Sequence, residues 1–229
     1  LYGLCCLGTA VLLLAPLQAD WPEQTRLLVL LPVTLGMLWL LNLYNFMDGI
    51  DGIAALQCVL VCLAVAGLCW SDPGASNYVL FCLLLGASHL GFLVWNWPPA
   101  RLFMGDAGSV PTGYMLAALA LLGSVQGVLN PACWLILLAV FITDATWTLL
   151  WRAATAQAFT RPHRLHAYQR LSRHWRSHAK VDYLLAGVTA VWLLPLAWAA
   201  QLWPEWSVLL VILAYLPLIW GMVEAYKLE

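Results

Sequence analysis

Long apolar segments, separated by short polar loops, recur along the whole chain. A helix needs about 20 mainly apolar residues to cross a bilayer. Eight segments approach this length, and they lie near residues 1–17, 26–43, 53–70, 78–96, 113–128, 131–151, 181–199 and 206–226. Each is a continuous apolar run and lacks the alternation of apolar and polar residues that marks membrane-spanning strands. The pattern therefore predicts an all-α fold, a polytopic transmembrane helix bundle with about eight spans.

The composition excludes a soluble monomeric protein. Hydrophobic residues make up 63% of the 229 residues, charged residues make up 9%, and the mean hydropathy is +0.84, which is typical of a polytopic membrane protein. The seven Cys residues lie mainly inside apolar segments, so we interpret them as small buried hydrophobic residues. Because no internal repeat or separate soluble region appears, residues 1–229 are interpreted as a single integral membrane domain.

The basic residues indicate which side of the membrane the polar loops face. Seven of the ten Lys and Arg residues lie in the loop 152–180, and such an excess is typical of cytoplasmic loops. Counting outward from this loop one span at a time also places loops 44–52 and 97–112 on the cytoplasmic side. The charge pattern thus predicts that the three polar motifs described next share one side of the membrane.

The first motif follows the second apolar segment and reads Asn42-Leu-Tyr-Asn45-Phe-Met-Asp48-Gly49-Ile-Asp51-Gly52. Its glycines allow a sharp turn that points Asp48 and Asp51 to one region, and the two Asn residues repeat the polar spacing one helical turn earlier. An ordinary polar turn is the alternative. Two carboxylates about 5 Å apart repel each other by roughly 3 kcal/mol at an effective dielectric constant of about 20, and a divalent cation would offset that repulsion. Oxygen ligands completed by phosphates suit Mg²⁺, or Mn²⁺, better than zinc.

The second motif, Phe103-Met-Gly105-Asp106-Ala-Gly108-Ser109, precedes the fifth apolar segment. Gly105 and Gly108 leave backbone amides accessible around Asp106, and Ser109 can cap a helix that begins there. Such a helix start attracts a diphosphate through its amides and its dipole. Upstream, Asn96 and two prolines form a rigid entry that leaves Phe103 free to stack on a base. An ordinary turn is again the alternative.

The third motif lies in the basic loop, where His163 and His166 alternate with Arg161 and Arg164. This spacing predicts a compact anion-binding segment with titratable imidazoles. The outer basic residues are interpreted as a topology signal that contacts lipid headgroups, and His174 and His178 are interpreted as loop residues. Asp144 lies inside an apolar segment and needs a partner in the bundle interior. Its role, a structural polar contact or support of the site, is left open, and His89 is interpreted as a satisfied interior residue.

In combination, these residues resemble a known family. The run Asn-x-x-Asn-x-x-Asp-Gly-x-Asp-Gly, then Pro-Ala-Arg-x-Phe-Met-Gly-Asp-x-Gly-Ser, then His-Arg-x-His-x-Tyr-Gln, is similar to the polyprenyl-phosphate N-acetylhexosamine-1-phosphate transferases of glycosyltransferase family 4. The resemblance covers roughly residues 42–178. The Tyr168-Gln169 ending is closer to the branch that initiates the O-antigen polysaccharide of lipopolysaccharide than to the peptidoglycan branch of cell-wall synthesis.

The resemblance implies a reaction and its location. An N-acetylhexosamine-1-phosphate would pass from a UDP-N-acetylhexosamine to a polyprenyl phosphate, such as undecaprenyl phosphate, with release of UMP. The enzyme would be a multi-pass protein of the bacterial cytoplasmic (inner) membrane, surrounded by membrane lipid and with its active site facing the cytoplasm. No nucleic-acid partner is expected, and a homodimer is left open.

The resemblance also implies residue roles. Asp106 corresponds to the Mg²⁺ ligand, and Asn45, Asp48 and Asp51 correspond to active-site polar groups. Phe103 and Asn96 correspond to part of the nucleotide pocket, and the two motif histidines correspond to phosphate-binding residues. We expect metal-assisted phosphoryl transfer in which the lipid phosphate attacks the sugar-bearing phosphorus, with Asp48 as the candidate base. The residues expected to bind substrate are Asn96, Phe103, Gly105, Ser109, Arg161 and Arg164.

One family feature is missing from the sequence. Family members carry an adjacent pair of Asp residues in an earlier cytoplasmic loop, and this chain contains no Asp-Asp. We therefore expect N-terminal spans of the family to be missing. This departure motivates an alternative, a catalytically inactive remnant that binds lipid phosphate or nucleotide. A further alternative is a proton-coupled transporter that uses Asp144 and His89, although transporter sites lie near the membrane midplane and the polar residues here lie at segment ends.

Overall fold

The computed structural model describes residues 1–18, 22–154 and 166–228, and these residues form helices and loops without a strand. The α-helices are α1 (Tyr2–Gln18), α2 (Glu23–Met47), α3 (Ile53–Leu68), α4 (Ser76–Asn96), α5 (Gly105–Val125), α6 (Pro131–Leu137), α7 (Ala139–Ala154), α8 (Ala167–Trp175), α9 (His178–Val188), α10 (Leu194–Leu202) and α11 (Ser207–Tyr226). The predicted all-α class is confirmed.

The predicted number of spans is too high. Within the described residues, five helical segments are long and apolar enough to cross a membrane, or six if the bent pair α6 and α7 is one span. All eight apolar segments are helical, but Tyr2–Leu17 and Ile53–Leu68 are shorter, and α6 and α7 meet at 68°. Mean hydropathy measures how apolar a segment is, but it does not locate the residues at which a helix begins and ends. Helix α3 begins at Ile53 as predicted, but it ends at Leu68, two residues before the end of the predicted segment.

The outer surface of the bundle is apolar. Five large hydrophobic side chains on four different candidate spans are each exposed by more than two thirds, namely Leu28, Val94, Val191, Val208 and Trp220. In water these side chains would be costly to expose, whereas in a bilayer they face hydrocarbon. The protein is therefore a multi-pass membrane protein.

Helices α2 and α5 pack closely at Gly113. A Cβ atom added there would lie 2.8 Å from Tyr44 Cβ and 2.9 Å from Leu41 Cα. Only glycine lets the two backbones approach this far, as is common where helices pack in membranes. The contact places the end of α2 beside the start of α5.

The end of the bundle opposite the polar motifs is held by Asn130. Its side chain accepts a hydrogen bond from the Ala132 backbone N–H and so caps α6. The same side chain donates to the Ala200 carbonyl oxygen and to Ser207 Oγ, and the Asn130 backbone N–H donates to Gln201 Oε1. These bonds connect the start of α6 to the end of α10 and the start of α11.

A single turn of π-helix, Thr189–Leu193, joins α9 to α10. The two helices together form one candidate span, His178–Leu202. The α9 half carries polar residues at the end of the bundle where the motifs lie, and the α10 half packs against α6, where Cys133 Sγ donates to the Ala197 carbonyl oxygen. The π-helical turn therefore separates two differently packed halves.

Candidate active site

Two of the polar motifs and the start of α8 meet at one end of the bundle. Helix α2 ends at Met47, and α3 begins after the turn 48–52. Helices α3 and α4 pack side by side and are joined by a short connection, so the loop that leads from α4 to α5 returns to this turn. We call residues 48–52 the acidic loop and residues 97–104 the proline loop.

Asp48 lies close to the start of α5, near enough to Asp106 for the two carboxyl groups to interact electrostatically. Asp48 caps the end of α2, and Asp106 lies exposed in the first turn of α5. Burial raises the pKa of the Asp48 carboxyl group from 3.8 to about 7, a hydrogen bond from the Gly105 backbone N–H opposes the rise, and the negative charge of Asp106 adds to it. Both carboxylates are therefore close enough to act on one bound group.

Asn45 and Ser109 connect the helices that carry these carboxylates. Ser109 Oγ lies 2.6 Å from Asn45 Oδ1 and 3.0 Å from the Gly105 carbonyl oxygen, and Ser109 is fully buried. The prediction that Ser109 caps the following helix is wrong, because α5 already begins at Gly105. Gly105 turns the chain with a φ of +59°, a conformation that glycine adopts without strain, so the helix starts four residues earlier.

Asn96 joins the acidic loop to the proline loop. Its Oδ1 accepts a hydrogen bond of 3.0 Å from the Gly52 backbone N–H, and its Nδ2 donates one of 2.8 Å to the Leu102 carbonyl oxygen. Asn96 is only 4% exposed, whereas Phe103 is 73% exposed. The geometry thus gives Asn96 a bracing position and leaves the Phe103 ring accessible for stacking. Substrate contact by either residue stays a prediction.

Asp51 is held by three polar contacts. Its Oδ2 accepts a hydrogen bond of 3.1 Å from the Ala100 backbone N–H and lies 3.2 Å from His178 Nδ1. The same Nδ1 lies 3.3 Å from the Asp51 backbone N. A protonated Nδ1 donates to the carboxylate, and an unprotonated one accepts from the backbone N–H. These groups border a cleft of about 610 Å³ that is also lined by Pro98, Pro99, Arg173 and Arg176.

Asp144 fixes the start of α8 and orients His166. Its carboxylate accepts hydrogen bonds from the backbone N–H groups of Ala167 and Tyr168 at 3.1 and 3.0 Å, and His166 Nδ1 lies 3.0 Å from Oδ1. Asp144 and His166 are both buried. The question left open by the sequence is thereby answered: Asp144 makes a structural contact that supports a predicted site residue.

Tyr168 connects the start of α8 to the end of α2 and to the acidic loop. Its hydroxyl group donates a hydrogen bond of 3.0 Å to the Phe46 carbonyl oxygen, and a Cβ atom at Gly49 would collide with the same hydroxyl group and with Gln169. Burial, followed by the negative charge of Asp144, raises the pKa of the Tyr168 phenol well above its ordinary value. Tyr168 therefore remains a neutral donor that ties α8 to the end of α2.

Three predicted site residues, Arg161, His163 and Arg164, lie outside the described residues. His89, interpreted as an interior residue, places Nε2 2.8 Å from Thr112 Oγ1 and Nδ1 3.0 Å from the Leu85 carbonyl oxygen. Among the residues described, no group of three or more His, Cys, Asp or Glu side chains forms a ready-made cation site. A cation held by the carboxylates here would need ligands from a substrate or from water.

Sequence reasoning missed two residues of α9, His178 and Asp182. His178 was interpreted as a loop residue, yet it begins a helix that is capped by Ser177, whose Oγ accepts a hydrogen bond from the Lys180 backbone N–H. Asp182 is fully buried, and a Cβ atom at Gly52 would lie 2.7 Å from its Oδ2. The available signal was a serine cap followed by His and Asp four residues apart, which places both on one helical face.

The chain matches a protein-family model and a set of curated proteins. The model, described as glycosyl transferase family 4, matches residues 4–124, just over half of the chain. A probable undecaprenyl-phosphate N-acetylglucosaminyl 1-phosphate transferase of Bacillus subtilis is 31% identical over 193 residues, which cover 81% of this chain and 53% of the relative. A decaprenyl-phosphate N-acetylglucosaminephosphotransferase of Mycobacterium leprae is 28% identical over 193 residues, 73% of this chain and 47% of the relative.

A third relative matches a shorter region. A phospho-N-acetylmuramoyl-pentapeptide-transferase of Nostoc punctiforme is 47% identical over 81 residues, 35% of this chain and 22% of the relative. The chain spans about half the length, or less, of these curated relatives.

Proposed function

We propose the following reaction for this chain, which belongs to glycosyl transferase family 4. The proposed reaction transfers N-acetylhexosamine-1-phosphate from a UDP-sugar to a polyprenyl phosphate such as undecaprenyl phosphate, and it releases UMP. It would take place at the cytoplasmic face of the bacterial inner membrane and would initiate a cell-surface polysaccharide such as O-antigen. The names of the relatives, which are polyprenyl-phosphate sugar-phosphate transferases, support this class of reaction.

The observation that carries the proposal is the proximity of Asp48 and Asp106 at the end of the bundle where the polar motifs lie. Two carboxylates that oppose each other at the start of a helix suit a substrate that brings both a cation and phosphates. Phe103 stands exposed beside them and can stack on a base. The start of α8, held by Asp144, places His166 at the same end.

The residues fit a magnesium ion, with manganese as an alternative. The oxygen donors of a carboxylate suit these hard cations, and burial together with the charge of Asp106 makes an ionised Asp48 costly without a positive partner. In our proposal Asp106 would hold the ion. When bound, the ion would neutralise charge on the transferring phosphoryl group.

The chain's own residues would bind and orient the reactants. The first turn of α5 directs its backbone amides and the positive end of its dipole toward phosphate. Asp48 would accept a proton from the acceptor phosphate. Burial raises the pKa of its carboxyl group to about 7 in the metal-free protein, and a base works best when its pKa lies near the operating pH. The hydrogen bond from Ser109 to Asn45 would tie the start of α5 to the end of α2, the two elements that carry these carboxylates.

The first test is the Asp106→Asn variant of the full-length protein in lipid nanodiscs, assayed with UDP-N-acetylglucosamine, undecaprenyl phosphate and Mg²⁺. We expect turnover to fall by about 10²-fold or more, because a group that neutralises charge in the transition state is lost. Glu205→Gln, an exposed carboxylate at the other end of the bundle, is the matched control. Normal turnover by Asp106→Asn would show that the metal assignment is wrong.

The same preparation can separate two classes of donor. The two N-acetylglucosamine-phosphate transferases match 81% and 73% of this chain, whereas the pentapeptide transferase matches 35%. We therefore propose UDP-N-acetylglucosamine or a related UDP-N-acetylhexosamine as the donor. Turnover of UDP-N-acetylmuramoyl-pentapeptide alone would place the protein in peptidoglycan synthesis instead.

The second candidate function is binding of nucleotide or lipid phosphate without turnover. It is motivated by the absence of an Asp-Asp pair from these 229 residues. Full activity of the 229-residue chain alone would exclude this alternative. Binding of UDP-sugar by the 229-residue chain, with no release of UMP, would support it.

A further inference from the structure

The side of the acidic loop that faces away from Asp106 rests on α9. His178 contacts Asp51 at both the carboxylate and the backbone N, at 3.2 and 3.3 Å. Asp182 follows four residues later, one helical turn along the same face, and its Oδ2 lies against the Cα atom of Gly52. Two consecutive residues of the loop therefore meet two consecutive turns of one helix.

Asp182 has an unusual environment for a carboxyl group. It is 0% exposed, and neither of its oxygens has a hydrogen-bond partner among the described residues. It lies close enough to Asp51 for the two side chains to interact electrostatically. Burial of a carboxyl group without hydrogen bonds is costly, and leucine would fill the same space without that cost. Because Asp182 lowers the free energy of unfolding and lies beneath a predicted active-site loop, its presence indicates a functional constraint.

The shape of the loop depends on the same contact. Gly52 has a φ of +83°, and any side chain there would meet Asp182 Oδ2 and Pro98 Cδ, at 2.7 and 3.3 Å from the Cβ atom. The Gly52 backbone N–H is already bound to Asn96. Asp182 thus closes the underside of a turn whose upper side carries Asp51.

We propose that His178 and Asp182 are positioning residues that hold the Asp51–Gly52 part of the acidic loop in place for sugar-phosphate transfer. His178 sets the direction of the Asp51 carboxylate, and Asp182 supports the Gly52 turn from below. Asp48 lies three residues before Asp51, so the position of the whole loop opposite Asp106 depends on this support. The inference rests on the proposed function, and it assigns to α9 a part in the site that the three sequence motifs do not contain.

The test compares truncating and conservative variants. In full-length protein with UDP-N-acetylglucosamine and undecaprenyl phosphate, we expect His178→Ala and Asp182→Ala each to lower kcat by about tenfold or more, with less than about twofold change in the donor KM, because misplacement of a loop by about 1 Å has effects of this size or larger. His178→Asn and Asp182→Asn keep a polar group of similar shape and should retain kcat within about threefold. Lys180→Gln, exposed on the same helix, is the matched control.

The double variant gives an independent check. Because both residues act through one loop, the effects of His178→Ala and Asp182→Ala on kcat should combine to less than their product. Multiplicative effects, or a normal kcat in either alanine variant, would overturn the proposal. If an alanine variant does not fold, the two Asn variants still test the proposal. A tenfold loss of kcat in both Asn variants would overturn it, because each Asn keeps a polar group of similar shape.

Failure of this proposal can be distinguished from failure of the proposed function. An inactive wild-type protein would disprove the function but not the arrangement of the loop. The contact between His178 and the acidic loop can be measured by ¹⁵N NMR of protein with labelled histidines. The His178 signal is assigned as the one that is absent from the His178→Asn variant. We expect Asp51→Asn and Asp182→Ala to shift this signal and Lys180→Gln to leave it unchanged. An unchanged signal in both site variants would overturn the positioning role whatever the activity.

Discussion

Two buried carboxylates of this protein, Asp144 and Asp182, differ in their hydrogen bonding. Asp144 accepts hydrogen bonds from His166, Ala167 and Tyr168, whereas Asp182 has no such partner among the described residues. A satisfied buried carboxylate contributes to stability, and an unsatisfied one opposes it. At the scale of single residues, we therefore expect substitutions of Asp144 to affect folding and substitutions of Asp182 to affect mainly the reaction.

Removal of the Asp144 carboxylate should destabilise the start of α8. The Asp144→Ala variant leaves the backbone N–H groups of Ala167 and Tyr168 buried without an acceptor, at a cost of about 1–3 kcal/mol each. We expect a clearly lower unfolding midpoint in mild detergent. Thr148→Val removes the hydroxyl donor that binds Asp144 Oδ1 at 3.2 Å and its contact with the Tyr226 hydroxyl group at 3.0 Å, but it leaves the Asp144 carboxylate and the start of α8 in place. It should lower the midpoint much less, and equal midpoints for the two variants would contradict this assignment.

Asp48 should make the stability of the metal-free protein depend on pH. Its pKa is about 7 in the folded protein against 3.8 for the ordinary carboxyl group. Because the folded value is raised, the stability contributed by this group is complete below the lower value and is lost as the pH rises through about 7. In EDTA, the Tm of the wild type should fall relative to that of Asp48→Asn between about pH 5 and pH 8. Asp72→Asn, at an exposed outer loop, is the control and should follow the wild type.

At the scale of helices, the apolar pattern predicted where the helices lie, but it did not predict where they bend or break. All eight apolar segments are helical, but the bend of 68° between α6 and α7 lies at Leu138, where neither proline nor glycine marks a break. The amphipathic helix α8 lies within the segment 152–180 that was predicted as a loop. Breaks set by packing against neighbouring helices leave no trace in local hydropathy.

The close contact between α2 and α5 should tolerate no side chain at Gly113. In Gly113→Ala the new Cβ would meet Leu41 Cα and Tyr44 Cβ, and helices forced apart in this way lose about 1–3 kcal/mol. The same shift would separate Asn45 from Ser109, so activity should fall together with the Tm. Gly36→Ala, on the partner helix α2 and in open space, should leave both unchanged, and a normal Tm for Gly113→Ala would show that the contact is not restrictive.

At the scale of the whole molecule, the two ends of the bundle differ in chemistry. One end carries the carboxylates, the imidazoles and the proline loop, and the other is held by Asn130 and its partners. The sequence predicted the grouping of the motifs on one side because basic residues mark sidedness and the spans alternate in direction. It could not predict that Asp51 contacts His178, 127 residues away, because that pairing depends on how the helices pack.

Cysteine labelling can test this arrangement in cells. In a background without native cysteines, Phe103→Cys should react with a membrane-impermeant maleimide only after the inner membrane is opened. Glu205→Cys, at the opposite end, should react in intact spheroplasts. Labelling of both positions from the same side would contradict the predicted topology.

The π-helical turn at 189–193 has a consequence for how this protein can vary among related sequences. One surplus residue offsets the angular phase of the later half of the span by about 100° from that of a continuous α-helix. This fixed offset lets His178 and Asp182 lie against the acidic loop while Ala197 and Ala200 lie beside the start of α6. Loss of a single residue within the turn would rotate one half by about 100° relative to the other. Either α9 would then turn away from the acidic loop or α10 would turn away from α6.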